Sequence, residues 1–366
     1  PNLRWETSYK TDVGLSFGLL KDRITGEFAY YKNDISDLIL YVPQSPSTGV
    51  PNSIPMNVGK MYNKGVELTL NATPVQSKDF TWTTSFNVTT NKNEVTALAP
   101  GLSEILTSTS SLETVNKTKA GYSLGTLWVV RTAGVDPATG RRIFVNANGQ
   151  KVYYQYYAPT GQFNYSNADG SRYYFDPVNK TGTSITQATD AVMYANVIPR
   201  EFGGWSNNFR YKGFDLDVLL TYQAGFSVYY GTNAGLHDQR FWNNDVDMLT
   251  QAWTKPGDVA KYPRPVYGDN VSNGSAMPMD INVFKGDFVK LKNVKLGYSL
   301  PNSLLSKVKI SNATVYVMGQ NLAILTKYPG PDPEVSSNGN NTTGLGVDRN
   351  TGPNARVFTV GLNIGF

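Results

Sequence analysis

The segment that decides the fold is Arg356-Val357-Phe358-Thr359-Val360-Gly361-Leu362-Asn363-Ile364-Gly365-Phe366, in which large apolar residues alternate with small or polar ones. Successive side chains of a β-strand point to opposite faces, so this strand would have one apolar face and one polar face. About ten such residues, tilted, span the hydrocarbon core of a bilayer. The pattern is typical of a transmembrane β-barrel strand, and it makes Phe366 the candidate residue for barrel closure and assembly.

The same alternation recurs along the whole chain. It predicts an all-β fold, a transmembrane antiparallel β-barrel segment of about nine strands. The predicted strands lie near residues 3–19, 24–40, 66–72, 80–88, 203–211, 214–222, 288–300, 313–322 and 357–366. A short strand is also possible at 127–130, and one helical turn at 301–307.

The predicted connections alternate in length. Short links lie near 21, 76, 212 and 305, and long loops span about 43–58, 90–198, 225–285 and 327–353. Bacterial transmembrane barrels have short periplasmic turns and long extracellular loops. This sorting predicts that residue 1 lies at the extracellular face and residue 366 at the periplasmic face. Nine is an odd number and a sheet edge cannot lie open in lipid, so further strands are expected before Pro1 or from another polypeptide.

Composition narrows the function classes. Charged residues make up 17% of the 366 residues, below the ~25% of soluble domains, whereas Tyr (23) and Gly (34) are abundant. The net charge of +5 is scattered rather than concentrated in blocks, which argues against nucleic-acid binding. The absence of Cys excludes disulfides and thiolate sites.

No apolar run is long enough for a transmembrane helix. No signal peptide opens the sequence, although an envelope protein needs one, so a fragment of a longer chain is expected.

Candidate catalytic groups are sparse. His237 is the only histidine and is predicted to be a solvated loop residue rather than part of a triad or a metal site. Asp136-Pro137 and Asp332-Pro333-Glu334 offer carboxylates for acid–base work or Ca²⁺, but beside Pro they are predicted to be turn formers. The sequence holds no phosphate-binding loop or dinucleotide fingerprint. We therefore predict no catalytic residue, no metal, no cofactor and no enzymatic activity.

Aromatic residues are the better candidates for recognition. A tyrosine-rich stretch either contacts ligands and protein partners through its rings or packs upon itself as a loop subdomain, and both readings stay open. Its candidate contact residues are Tyr153, Tyr154, Tyr156, Tyr157, Tyr173 and Tyr174. Arg240 and Trp242 are weaker candidates, with packing favoured. Trp5, Tyr9, Tyr30, Trp82, Trp205 and Tyr222 are predicted to face lipid or the membrane interface.

Several short motifs are distributed along the chain. They are PNLRWET (1–7), NVGKMYNKGVEL (57–68), KDFTW (78–82), AGVDP (133–137), YKGFD (211–215), FVKLKNV (288–294), GQNL (319–322), DPE (332–334) and GLNIGF (361–366). Together they resemble the SusC/RagA-type TonB-dependent outer-membrane transporters of Bacteroidetes, and the resemblance covers essentially the whole chain.

The resemblance implies a 22-stranded barrel whose strands 14–22 correspond to this chain, the C-terminal part of the barrel, with the plug domain and the N-terminal barrel strands outside it. It implies an active importer of glycans or peptides, energised by TonB through the plug region and capped by a SusD-like surface lipoprotein. The aromatic candidates would then contact ligand or this lid. Two alternatives remain: a secreted or surface glycan-binding β-protein without transport, and a passive porin.

Overall fold

The computed structural model describes residues 3–44, 47, 49, 53–99, 101–109, 112–242, 244–306, 310–339 and 341–365. Nine long strands pair in sequence order into one antiparallel sheet, which we call the wall. They are β1 (Thr7–Leu19), β2 (Ile24–Pro43), β3 (Ser53–Gln76), β4 (Phe80–Thr90), β13 (Glu201–Tyr211), β14 (Phe214–Ala224), β17 (Phe288–Ser299), β18 (Asn312–Thr326) and β20 (Val357–Gly365). The prediction of an all-β fold with nine antiparallel strands is confirmed.

The pairing register places most of the apolar residues of the nine strands on one face of the wall. Phe86, Trp205 and Leu220 are direct neighbours across β4, β13 and β14, and Val317 and Val360 pair across β18 and β20. Many of these side chains are exposed, and Val360 retains 78% of its accessible surface. A continuous exposed apolar surface of this extent indicates contact with lipid or another apolar partner.

The opposite face of the wall is polar. Asn87 lies beside Gly204, Ser85 beside Ser206, and Asp217 beside Lys295. Because the side-chain period of a strand is two, this face follows from the same register that builds the apolar one.

The short connections all lie at one edge of the wall. The link between β13 and β14 is the two-residue turn Lys212-Gly213, with φ of 44° and 88°, as a hairpin turn of the type I′ class requires. Between β17 and β18, a single helical turn at α4 (Asn302–Leu305) confirms the predicted one.

At the other edge, the long connections contain strands and helices of their own. We call segments 91–200, 225–287 and 327–356 together the loop cap. Its strands are β5 (Lys92–Leu98), β6 (Ile105–Thr109), β7 (Glu113–Thr118), β8 (Thr126–Val135), β9 (Arg142–Val145), β10 (Lys151–Tyr154), β11 (Tyr165–Ser166), β12 (Ala191–Ala195), β15 (Ser227–Tyr230), β16 (Val283–Lys285) and β19 (Val347–Asp348). Its helices are α1 (Gln187–Asp190), α2 (Gly231–Leu236), α3 (Asp247–Thr250) and a 3₁₀ turn (Asp280–Asn282).

Two small sheets organise the cap. One runs β11-β10-β9-β8-β7-β6 with β12 also on β8, and the other runs β16-β15-β19. β5 instead extends the wall by pairing with β3. The expected short strand at 127–130 lies within β8.

Buried apolar side chains are concentrated in the cap and at its junction with the wall. One cluster joins Phe144, Val152 and Tyr173 to Met279 from the next long segment. A second joins Val129 and Tyr229 to Val347, so that all three long segments share a core. The cap is therefore a folded unit rather than a set of independent loops.

Two predicted features differ from the structure or lie outside it. The loop expected at 43–58 is shorter, because β2 continues to Pro43 and β3 begins at Ser53. Phe366, the predicted closure residue, lies outside the described residues. Among the described residues, no helix is long and apolar enough to cross a membrane.

Candidate functional site

The polar face of the wall carries a hydrogen-bonded charge cluster near the short turns. The side-chain amide of Asn208 donates to Asp215 (3.0 Å) and to Asp217 (2.7 Å), and Arg210 Nε donates to Asp215 (2.8 Å). A groove of about 730 Å³ runs along these residues and reaches Lys295. Fixed charges of both signs would keep this face polar and hydrated, as is typical of the inner face of a membrane barrel.

On the other face lie five of the six aromatics predicted to face lipid or the interface, whereas Trp5 precedes β1 and takes part in no strand pairing. Trp5 is 90% exposed and Tyr9 71%. The indole N–H of Trp82 donates to Asn207 (3.1 Å), and the indole N–H of Trp205 donates to Thr84 (2.8 Å). Each ring therefore has a hydrogen-bond acceptor for its only polar group. Tyr30 and Tyr222 lie on the same face in their strands.

The tyrosine-rich stretch is divided between core and surface. Tyr154 and Tyr173 are buried in the cap core, and Tyr165 packs against Tyr154 with ring centroids 4.8 Å apart. Burial raises the pKa of Tyr165 to about 12, so its hydroxyl stays neutral. The candidacy of Tyr154 and Tyr173 as ligand or lid contacts is wrong, because β10 and its partner loop turn both rings inward.

The remaining tyrosines keep accessible surface. Tyr157 is 72% exposed and its ring meets that of Tyr156 edge to face at 5.2 Å. Tyr153 and Tyr174 are half-buried, and the guanidinium of Arg172 lies over the Tyr174 ring at 5.7 Å.

Arg240 lies close to Tyr156 in the cap, and Trp242 follows Arg240 two residues later in the chain. The Tyr156 ring packs against Gly268, whose N–H donates to the carbonyl oxygen of Gln239 (3.0 Å). Arg240 is held by Asp238, with Nη2 2.6 Å from Oδ2, and Trp242 is 97% exposed. We call Tyr156, Tyr157, Arg240 and Trp242 the aromatic patch.

His237 is not a solvated loop residue, so that prediction is wrong. It is 1% exposed, its ring stacks on Tyr262 with centroids 4.3 Å apart, and Nδ1 lies 2.7 Å from the carbonyl oxygen of Asn233. Burial lowers the pKa of His237, so its imidazole is neutral at pH 7. Ligand atoms of His237, Asp245 and Asp247 lie within 4.8 Å of one another, which makes them a candidate metal group.

The two carboxylate motifs behave differently from each other. Asp136 forms the predicted turn, accepting from the N–H of Ala138 (3.2 Å) and from the Thr139 hydroxyl. Asp332 also forms a turn, accepting from the Glu334 N–H (3.1 Å), but it has a further partner in Lys290. The Lys290 ammonium lies 3.0 Å from Asp332 and 2.5 Å from Glu334.

Two buried cations therefore tie the cap together, and the sequence pattern singled out neither. Lys290 joins β17 to the last long segment. Arg142 on β9 donates to the carbonyl oxygens of Ser272 (2.7 Å), Gly134 and Lys261 (both 3.3 Å). Burial lowers the pKa of Arg142 to about 10, so it still carries its charge at pH 7. A basic residue in a strand gives no local signal that a distant segment will cover it.

Comparison with known proteins gives concordant matches. The family model described as "TonB dependent receptor-like, beta-barrel" matches residues 1–179. TonB-dependent receptor P3 of Formosa agariphila is 30% identical over 373 residues, covering all of this chain and 34% of the relative. TonB-dependent receptor SusC of Bacteroides thetaiotaomicron is 27% identical, covering all of this chain and 32% of the relative.

Solved structures agree. The structure of the RagAB peptide transporter matches with a TM-score of 0.77 and 27% identity, over all of this chain and 36% of that one. The RagAB peptide importer in its 'open-open' state matches with a TM-score of 0.73. The chain thus spans about a third of the length of the relatives that it matches.

Proposed function

Because the chain belongs to the SusC/RagA-type TonB-dependent receptors, we propose that it is the C-terminal part of the barrel of an active outer-membrane importer. The cargo is an oligomeric nutrient, a glycan or a peptide. The plug and the first barrel strands belong to the same transporter, and TonB energises it through the plug region. In this proposal residue 1 lies at the extracellular face and residue 366 at the periplasmic face.

The observation that carries the proposal is the two-faced wall. An exposed apolar face formed by all nine strands fits a hydrocarbon environment, and the polar opposite face fits a hydrated path. A soluble glycan-binding sandwich would instead bury its apolar faces between two sheets. The two-faced wall therefore favours the membrane transporter over the soluble alternative.

The cap supports the choice of a large cargo with a lid. All three long segments fold together at one edge of the wall, and the aromatic patch is presented on their surface. Exposed tyrosines offer broad, rigid contact area at low entropic cost, and Arg adds a charged contact. We assign the patch to contact with a SusD-like lipoprotein or with the cargo that it delivers. RagAB is described as a peptide transporter, so peptides are the first cargo class to test.

Uptake in the organism that makes the protein tests this proposal. Cells with and without the intact gene receive labelled oligopeptides or oligosaccharides, before and after collapse of the proton-motive force. We expect uptake that needs the gene, needs the proton-motive force and falls when the gene for the proposed SusD-like partner is deleted. Gene-dependent uptake that survives the collapse would mean a passive porin. Recovery of the protein from cells by aqueous buffer alone would contradict membrane insertion.

A further inference from the structure

One end of the cap holds a set of side chains that the transport proposal does not use. His237 ends helix α2, and the chain turns back so that the Asp245 N–H donates to the Leu236 carbonyl oxygen (3.2 Å). Asp247 opens helix α3 two residues later. This return brings one imidazole and two carboxylates together, with ligand atoms within 4.8 Å of one another.

The imidazole is prepared to bind a cation. Nδ1 lies 2.7 Å from the Asn233 carbonyl oxygen, an acceptor, so Nδ1 carries the proton and Nε2 has a free lone pair. Nε2 is buried and has no hydrogen-bond partner. Metal-binding histidines commonly donate their other N–H to a backbone carbonyl, which fixes the tautomer and the ring orientation. The stack on Tyr262 restrains the ring further.

The carboxylates leave room for a bond to a cation. Oδ1 of Asp245 accepts from the Asp247 N–H (3.0 Å), which leaves Oδ2 for a cation. Asp247 accepts from Gln251 through Oδ1, and its Oδ2 meets Lys261 at 3.5 Å, with the Lys261 side chain 49% exposed. A bound cation would displace this loose contact, since the lysine can turn to solvent.

From this geometry we propose that His237, Asp245 and Asp247 form a binding site for a divalent transition metal of the Zn²⁺ type. In a tetrahedral site with metal–ligand bonds of about 2.1 Å, the ligand atoms lie about 3.4 Å apart. The three ligand atoms already lie within 4.8 Å of one another, so side-chain rotations of the two carboxylates would have to close the remaining distance. Three protein ligands leave a fourth position for water.

The donor set selects the class of metal. Ca²⁺ and Mg²⁺ prefer oxygen ligands, in sets of about six or more, and seldom take imidazole. One imidazole nitrogen with two carboxylate oxygens suits Zn²⁺ or a neighbouring first-row ion. The bound ion would cross-link the end of α2 to the start of α3, and so stabilise the second long segment of the cap. This inference does not depend on which cargo the transporter carries.

The test uses the whole transporter purified in detergent, stripped of metal and then loaded with Zn²⁺ or Co²⁺. The variants are His237→Gln and the isosteric Asp245→Asn. The matched control is Asp258→Asn, a half-buried residue of the same segment whose carboxylate accepts from the N–H groups of Thr254 and Lys255. Metal content gives the stoichiometry, and the visible spectrum of bound Co²⁺ reports a nitrogen–oxygen ligand set directly.

We expect the unmodified protein and Asp258→Asn each to bind one more equivalent of Zn²⁺ than either site variant binds. If a site variant still binds that equivalent, its affinity should be at least tenfold lower. Zinc should also slow amide exchange in residues 237–250 of the unmodified protein and of Asp258→Asn, but not in either site variant. Equal zinc content in the unmodified protein and Asp245→Asn would overturn the proposal, and so would Co²⁺ binding with no His237-dependent spectrum. Should His237→Gln fail to fold, the Asp245→Asn comparison decides alone.

Discussion

The ammonium of Lys290 on the wall lies 3.0 Å from the carboxylate of Asp332 in the cap, and both side chains are almost fully buried. Glu334 and Asn354 complete the group, since the Asn354 amide donates to both carboxylates. Lys290 lies beside Thr221 on the polar face of the wall, so the last long segment is anchored on that face. This contact connects the cap to the surface along which we propose that the cargo moves.

Replacement of Lys290 by Met should release this segment. The change leaves Asp332 as a buried, unpaired carboxylate, and breaking a buried ion pair on one side costs about 3 to 5 kcal/mol. We expect residues 327–353 to exchange amide hydrogens at least a hundredfold faster, measured by mass spectrometry.

Lys292→Met is the matched control. Lys292 lies on the same strand and also faces Glu334, but at a longer distance of 3.6 Å and with a side chain that is 37% exposed. Such partly exposed ion pairs contribute about 0 to 1 kcal/mol to stability. Equal exchange in both variants would show that Lys290 does not anchor the segment.

The same anchor should respond to acid. Burial acts to raise the pKa of Asp332, but the N–H of Glu334 and the Lys290 ammonium together outweigh it, so the pKa lies below its usual value. A carboxyl with a lowered folded-state pKa stabilises the fold fully above its unfolded pKa of about 3.9. That stabilisation is lost as the pH falls through the folded-state pKa.

Proteolysis with pepsin between pH 5 and pH 2 should therefore show cleavage of 327–353 rising only below about pH 4. In Asp332→Asn the cleavage should be high already at pH 5 and change little with further acid. A profile that is identical in the two proteins would contradict the role assigned to Asp332.

Arg142 should hold two long segments together. Arg142→Met removes the hydrogen bonds to the carbonyl oxygens of Ser272, Gly134 and Lys261. The Ser272 carbonyl oxygen lies in a buried environment and would lose its Arg142 donor, at about 1 to 3 kcal/mol. We expect faster amide exchange in both 126–145 and 261–273. The neighbouring Arg141→Met is the control, because the hydrogen bonds described for the Arg141 side chain go to Ser166 and Gln162, within the first long segment. A change confined to 126–145 would show that Arg142 does not link the segments.

The sequence predicted the wall but not the cap, and the reason is physical. Alternation is a local property, so Val357–Gly365 could be assigned to a two-faced strand from its own residues. The cap depends on contacts between residues far apart in the chain, such as Thr107 with Thr343. His237 lies in a polar segment with no periodicity, so nothing near it in the sequence indicated its burial under Tyr262. Tyr154 and Tyr157 are three residues apart with the same side chain, and only tertiary packing separates core from surface.

Gly213 should be required for efficient barrel assembly. It has φ of 88° in the Lys212-Gly213 turn, and a Cβ atom there would meet the Ser299 carbonyl oxygen at 3.2 Å. Gly213→Ala should cost about 1 to 2 kcal/mol and lower the fraction of folded, heat-modifiable protein on gels. Gly297→Ala is the control, since its Cβ would meet only ordinary contacts beyond 3.5 Å. Equal folded fractions would indicate that the turn accepts a side chain.

The faces of β20 give the most direct test of membrane insertion. Val360 is on the apolar face beside Val317, and Thr359 is on the polar face beside Met318. A charge on the lipid-facing side of a barrel costs about 2 to 4 kcal/mol at mid-membrane, whereas the inner side tolerates one. Val360→Arg should therefore lower the amount of protein folded into the outer membrane several-fold, measured by membrane fractionation and heat modifiability. Thr359→Arg, one residue away, should leave that amount close to normal. The reverse order would place the lipid against the polar face and contradict the orientation of the wall.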